Sequence, residues 1–120
     1  MYQQDFLKRA IEQLGAALAR ALGLAAEKKP AAALQVLRDA RSELPIGPSM
    51  IEELDVVTLV DKLGPDSAET LARILALEAD LQEQLGRGML AERPRKRSGE
   101  ITAALARRAG QGEAGSPQNS

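Results

Sequence analysis

The chain has 120 residues and a formal net charge of −1 at neutral pH, from 16 basic and 17 acidic side chains. It contains no cysteine and no histidine, which excludes disulfides, thiolate or imidazole metal sites, and catalysis by a cysteine or a Ser-His pair within this chain. With a single Phe and a single Tyr, any core must be built from aliphatic side chains. We expect one small all-α domain without a cofactor.

The first predicted helix runs from about Asp5 to Ala26. Apolar side chains recur along it at spacings of three and four residues, which places them on one helical face. They are Leu7, Ile11, Leu14, Leu18, Ala21 and Ala25. The stripe spans only about three heptads and lacks consistent flanking charge pairs, so packing within the chain is favoured over a two-chain coiled coil.

The second predicted helix lies in PAAALQVLRDARSELP, residues 30–45. Pro30 occupies its first turn, where a missing N–H costs nothing, and Pro45 follows its end. Its inner face carries Ala33, Leu34, Leu37, Ala40 and Leu44. The short turn EKK before Pro30 predicts that the first two helices form an antiparallel hairpin.

A third helix is predicted over residues 48–63 and a fourth over about 67–85. The apolar arc of the third is wide enough to predict burial against two neighbours. In GPDSAET, Gly64 ends the third helix, and Asp66 or Ser67 caps the fourth. The fourth carries a Leu and Ile stripe, with its acids assigned to other faces: Glu78, Asp80 and Glu83. The predicted core is therefore residues 1–86, with four helices in two hairpins.

Three weaker segments are predicted after residue 86. They are a basic linker over 87–97, a short helix over 98–109 capped by Ser98, and a disordered tail over 110–120. The N-terminal segment is interrupted by charges every turn, and no stretch approaches the roughly 20 apolar residues of a membrane span. We therefore expect a cytoplasmic protein that makes no membrane contact.

Two resemblances support the helical prediction. Residues Ala33, Leu37, Ala40 and Pro45 have the small, bulky, small and proline spacing of the second helix of a tetratricopeptide repeat. With Ala21 and Leu24 in the preceding helix, the stretch that resembles such a repeat covers about 30 residues. The opening MYQQDFLKRAIEQLGAALARALGL is similar to a family of short, uncharacterised bacterial helical proteins that begin with an Asp-aromatic-aliphatic-x-Arg-x-Ile-Glu-Gln run. Together they imply a tetratricopeptide-like hairpin and a bacterial source, but no activity.

The most distinctive local feature is the basic arm, which begins at RPRKR (93–97). Residues 93–120 carry a net charge of +4 and residues 1–92 a net charge of −5. Such an arm can bind a polyanion through counterion release, remain a solvated tail, or fold onto the acidic surface of the third and fourth helices in its own chain or in a second copy. The candidate contacts to a polyanion or an acidic partner are Arg93, Arg95, Lys96, Arg97, Arg107 and Arg108. The arm has no aromatic residue for base stacking, which counts against nucleic acid.

No residue pattern predicts catalysis or metal binding. IEELD (51–55) brings three carboxylates into one turn, but acid-base work or Mg²⁺ binding needs carboxylates that converge in a cleft. A solvated helix face explains this run better. We expect a non-enzymatic interaction or adaptor module that binds another protein or a second copy of itself, through the groove of the first hairpin or the apolar arc of the third helix. The alternative is a nucleic-acid-associated accessory protein that uses the basic arm.

Overall fold

The computed structural model describes residues 2–44 and 48–115. These residues form six α-helices and no strand, which confirms the all-α prediction. The helices are α1 (Tyr2–Ala26), α2 (Pro30–Ser42), α3 (Pro48–Glu53), α4 (Val56–Leu63), α5 (Pro65–Gln84) and α6 (Gly88–Gly115). None of the described helices has the length and the apolar run needed to cross a membrane.

Helices α1 and α2 form the hairpin expected from the sequence. The buried side chains between them and the rest of the core include Leu14 and Ala21 from α1 and Ala33 and Leu37 from α2. The small alanines allow the two helices to approach closely. Two predicted core positions, Leu7 and Ile11, lie outside the side chains that the structure describes, and so does the terminating Pro45.

The turn after α1 is closed by backbone hydrogen bonds. The amides of Lys28 and Lys29 donate to the carbonyl oxygens of Ala25 (3.0 Å) and Leu24 (2.9 Å), the pairing of a Schellman motif. Lys28 has a φ of 63°, a left-handed conformation that usually selects glycine. The turn reverses the chain within three residues.

The predicted third helix is wrong in one respect, because the structure divides it into α3 and α4. Asp55 lies at the division with extended backbone angles, and its carboxylate accepts a hydrogen bond from the amide of Thr58 at 3.2 Å. This caps α4 and favours a new helix start over continuation. Most of the predicted apolar arc lies in the core, where Ile51, Leu59 and Val60 are buried.

The C-terminal region also differs from the prediction. One long helix, α6, replaces the basic linker over 87–97 and the short helix over 98–109, and it continues through Gly115 into the segment predicted as disordered. Residues 116–120 lie outside the described part. Tertiary packing explains the difference, because Ala91, Ile101 and Ala104 of α6 are buried in the interior, and such packing outweighs weak local propensity.

Two residues within α6, Ser98 and Pro94, show that its packing against α5 matters. Ser98, predicted as a cap, lies inside the helix, and its hydroxyl donates to the carbonyl oxygen of Ala72 at 2.7 Å. Pro94 also lies within the helix, where it removes one backbone hydrogen bond. Packing against α5 therefore compensates for an unfavourable residue.

Helix α5 is the centre of the fold. It contacts α1, α2, α4 and α6, and its buried residues include Leu71, Ile74 and Leu75. The second hairpin is α5–α6, not the predicted pairing of the third and fourth helices. Gly86, with φ 75°, closes its turn through a second Schellman motif, in which the amide of Arg87 donates to the carbonyl oxygen of Gln82 at 2.8 Å.

Candidate binding cleft

Two of the six candidate basic residues are bound to the chain's own acidic surface. The Nη2 of Arg95 lies 2.9 Å from the carboxylate of Asp80 and 2.7 Å from that of Glu83, both on α5. The Nη1 of Arg108 lies 2.7 Å from the carboxylate of Asp61 on α4. The sequence left three arrangements open for the basic arm. These contacts match the arrangement in which the arm folds onto its own chain.

Arg97 has a different position from the one predicted, because it is only 7% exposed. Its Nε donates to the carbonyl oxygen of Ile51 at 2.6 Å, its Nη2 donates to that of Leu54, and its Nη1 lies 3.0 Å from a carboxylate oxygen of Glu100. Carbonyl groups at a helix C-terminus lack intrahelical partners. Arg97 thus supplies donors at the end of α3 and ties it to α6, so it is not an exposed polyanion contact.

The other three basic residues are exposed. Arg93 projects with its side chain 85% exposed, and its Nη1 is 3.7 Å from a carboxylate oxygen of Glu52, a loose ion pair. For Lys96 and Arg107, the described side chains include no carboxylate within ion-pair distance. The structure brings Arg93, Lys96 and Arg97 together beside Glu52 and leaves Arg107 farther along α6.

Arg93 and Arg97 border a cavity of about 390 Å³, which we call the α2/α6 cleft. Four helices contribute to its wall. The lining side chains are Arg38 and Arg41 from α2, Glu52 from α3, Leu75, Glu78 and Gln82 from α5, and Met89, Leu90, Arg93, Pro94 and Arg97 from α6. A neighbouring cavity of about 330 Å³ shares Glu52, Arg93 and Arg97 with it.

A buried ion pair lies in the wall of the cleft. The Nη1 of Arg41 is 2.7 Å and 2.9 Å from the two carboxylate oxygens of Glu78, and the two side chains are only 17% and 8% exposed. Burial raises the pKa of Glu78, and the positive charge of Arg41 opposes this shift. The pair fastens α2 to α5.

Two buried polar atoms on lining residues have no hydrogen-bond partner among the described residues. They are the Nε of Arg41, a donor, and the Oε1 of Gln82, an acceptor. Unpartnered buried polar atoms are rare in folded proteins, and each costs about 1–3 kcal/mol. The wall of the cleft therefore has hydrogen-bonding capacity that the fold itself does not use.

The rim of the cleft is apolar and exposed. Met89 is 85% and Leu90 is 56% exposed, so two adjacent large apolar side chains face water at the start of α6. Because Pro94 has no N–H, the carbonyl group of Leu90 lacks the amide donor that an α-helix normally supplies four residues later. The ring of Pro94 lies where that donor would be, so the rim offers a ligand apolar surface.

The sequence pattern did not predict most of this site. Glu78 is not on the solvated face expected for it, and its position three residues after Leu75 and three before Leu81 puts it on the buried stripe. That spacing was the available signal. Met89 and Leu90 fall in the segment predicted as a linker, and no pattern distinguishes Arg38 and Arg41, because only the fold places α2 opposite the start of α6.

The two surfaces favoured from the sequence offer less. The outer groove of the α1–α2 hairpin, a cavity of about 670 Å³, is lined by alanines, one valine and polar or charged side chains, among them Ala16, Arg20 and Glu43. On α4, Val57 remains half exposed while Leu59 and Val60 are in the core. Neither surface combines large exposed apolar side chains with unpartnered polar atoms.

No group of three or more acidic side chains suited to a metal ion occurs within the described residues. Comparison of the chain with known protein families, with curated proteins and with solved structures gave no match. The tetratricopeptide and bacterial-family resemblances therefore remain predictions, and a function for this chain has to be inferred from the geometry of the α2/α6 cleft.

Proposed function

We propose that this chain is a non-enzymatic protein-binding module and that its partner docks at the α2/α6 cleft. The observation that carries the proposal is the exposed pair Met89 and Leu90 beside the cleft. Exposed apolar side chains that are grouped together mark interaction sites, whereas single ones are ordinary on a protein surface. Methionine adapts to irregular surfaces, and methionine and arginine are both enriched in protein interfaces.

The hairpin of α1 and α2 supports the binding side by holding Arg38 and Arg41 in place. We also propose that this hairpin is tetratricopeptide-like. Its buried Ala21, Ala33 and Leu37 occupy the small and bulky positions of that pattern. Such hairpins are typical of proteins that bind other proteins. The lack of cysteine suits a reducing compartment such as the cytoplasm.

The same contacts weaken the nucleic-acid alternative. Arg95, Arg97 and Arg108 are engaged within the chain, which leaves few cations to neutralise phosphates. Binding to nucleic acid gains most of its affinity from such neutralisation. With one Tyr and no Trp, the purified chain absorbs weakly at 280 nm, so bound nucleic acid would dominate its ultraviolet spectrum.

Affinity capture with matched variants tests the proposal. The tagged full-length chain and its Met89→Ser/Leu90→Ser variant are incubated with cell extract at low salt, with and without nuclease. Val57→Ser serves as the control, because Val57 is half exposed on α4, outside the cleft. Circular dichroism establishes that all three forms have the same helix content.

We expect at least one protein to be retained by the wild type and by Val57→Ser, to be lost from the double variant, and to be insensitive to nuclease. Identical capture by all three forms would contradict the proposed surface. Proteins that disappear after nuclease treatment would support the nucleic-acid alternative instead. Self-association through this surface would appear in sedimentation as a dimer of the wild type and a monomer of the double variant.

A further inference from the structure

We infer that the α2/α6 cleft recognises an acidic peptide segment in which a carboxylate lies next to a large apolar side chain. This inference rests on the proposed function and adds the chemistry of the partner. The charge, the apolar rim and the size of the cleft each support it.

The charge of the cleft favours an anionic ligand. Four arginines but only two carboxylates line it, and two of the arginines are already engaged, Arg41 with Glu78 and Arg97 with backbone carbonyls. That leaves Arg38, for which the described side chains provide no ion-pair partner, and Arg93, held only loosely by Glu52 at 3.7 Å. A ligand carboxylate between these two guanidinium groups would gain charge-assisted hydrogen bonds.

The rim supplies the second half of the recognition. A large aliphatic or aromatic side chain beside that carboxylate would cover Met89 and Leu90 and remove their surface from water. This burial stabilises a complex by about 25 cal/mol per Å². Because the apolar and cationic groups are adjacent, one short segment can use both.

The size of the cavity favours a short peptide. The cavity, about 390 Å³, lies at the small end of the range of ligand sites. It therefore suits a short segment and not the broad face of a second domain.

Docking of a second copy of this chain through its α4 is disfavoured. Its half-exposed Val57 lies four residues before Asp61 on α4, which is an acidic and apolar pair. However, the carboxylate of Asp61 is already bound by Arg108 at 2.7 Å. Docking would require that ion pair to break.

Selection from a library of random short peptides tests the inference. The library is displayed and selected against the immobilised full-length chain at low salt. Enriched peptides are then synthesised, and their affinities are measured by fluorescence anisotropy for the wild type, for Arg38→Gln/Arg93→Gln and for Met89→Ser/Leu90→Ser. Arg107→Gln is the control, because it removes an exposed cation from the same helix outside the cleft.

We expect the enriched peptides to carry Asp or Glu beside Leu, Ile, Phe or Met. Their affinity should fall by about tenfold or more in each double variant, should change little in Arg107→Gln, and should weaken with added salt. Replacing the peptide carboxylate with its amide should produce a loss similar to that of Arg38→Gln/Arg93→Gln.

Enrichment of neutral or basic peptides would overturn the inference, as would acidic peptides that bind Arg38→Gln/Arg93→Gln normally, or a library that yields no binder. The proposed function fails separately. If capture identifies a partner whose binding depends on Met89 and Leu90 while the peptide selection yields no acidic binder, that combination would support the proposed protein-binding function and refute only the acidic peptide as its ligand.

Discussion

Replacing Arg97 with methionine should destabilise the fold strongly, whereas the same replacement of Arg95 should have little effect. Methionine keeps most of the apolar stem of arginine but removes every donor. In Arg97→Met, the carbonyl oxygens of Ile51 and Leu54 lose the guanidinium that now binds them. In Arg95→Met, the freed groups are the carboxylates of Asp80 and Glu83, which are more than half exposed and return to water.

The expected magnitude depends on burial. A buried polar group without a partner costs about 1–3 kcal/mol, and two such carbonyl groups are affected. Ile51 is buried whereas Leu54 is only partly so, which places the total at about 2–4 kcal/mol. The lost pair with Glu100 adds little, because that carboxylate is 41% exposed. A small domain has only about 5–15 kcal/mol of stability, so the loss should be evident.

Urea unfolding followed by far-ultraviolet circular dichroism measures the difference, since the chain has no Trp to report by fluorescence. Arg97→Met should unfold at a clearly lower urea concentration than Arg95→Met, with Arg97→Lys between them, because lysine keeps the charge but not the planar donor geometry. Equal midpoints for the two methionine variants would refute the structural role assigned to Arg97.

Three further changes test other parts of the fold by the same unfolding assay. Ile101→Ala should lower the free energy of unfolding by about 2–5 kcal/mol because this α6 residue is fully buried. A change no larger than that of the exposed Thr102→Ala would show that α6 contributes little to the core. Lys28→Gly should stabilise the chain by roughly 0.5–1 kcal/mol, since relief of the left-handed backbone outweighs the added chain entropy, and a lower midpoint would contradict this. Burial raises the pKa of Glu78 above its ordinary value of 4.5, despite Arg41, so the folded chain binds more protons than the unfolded chain above that pH and the contribution of Glu78 to stability falls as pH rises. The free energy of unfolding of the wild type minus that of Glu78→Gln should therefore decline from about pH 4 towards neutrality, and a constant difference would contradict the shift.

The sequence predicted those helices whose local and tertiary signals agree. In α1, α2 and α5 the apolar residues recur with the period of a helix. The proline at the start of α2 and the glycine after α5 agree with the helix ends that this period indicates. The short turn after α1 was enough to predict its hairpin with α2. These signals depend on residues close together in the chain, so the sequence alone could supply them.

Helix α6 and the division between α3 and α4 were missed for physical reasons. In α6, Pro94, Gly99 and a dense run of positive charge weaken every local helical signal, and the helix forms because α5 offers a surface to pack against. At Asp55, the apolar pattern continues across the division, and the same acid that suits a solvated helix face is in fact a helix cap.

The cleft lay beyond sequence reasoning because its parts are distant in the chain. Arg41 and Glu78 are 37 residues apart, and Arg97 and Ile51 are 46 apart. The basic residues are evident in the sequence, but their roles diverge with burial. Arg97 is structural, Arg95 and Arg108 pair with surface acids, and only the fold could distinguish these three from the exposed Arg93.

The proposed binding at the cleft and the stability of the fold are therefore coupled through α6. The helix that carries Met89, Leu90 and Arg93 is held in place by Arg97 and by its buried residues, so any change that loosens α6 also alters the cleft. Added salt should weaken the exposed pairs of Arg95 and Arg108 but affect the buried contacts of Arg97 much less. The cleft should consequently persist at salt concentrations that screen the proposed attraction for an acidic segment. For that reason a loss of binding in Arg97→Met says nothing about recognition, whereas a loss in Arg38→Gln/Arg93→Gln, whose side chains are exposed to water, reports on the ligand itself.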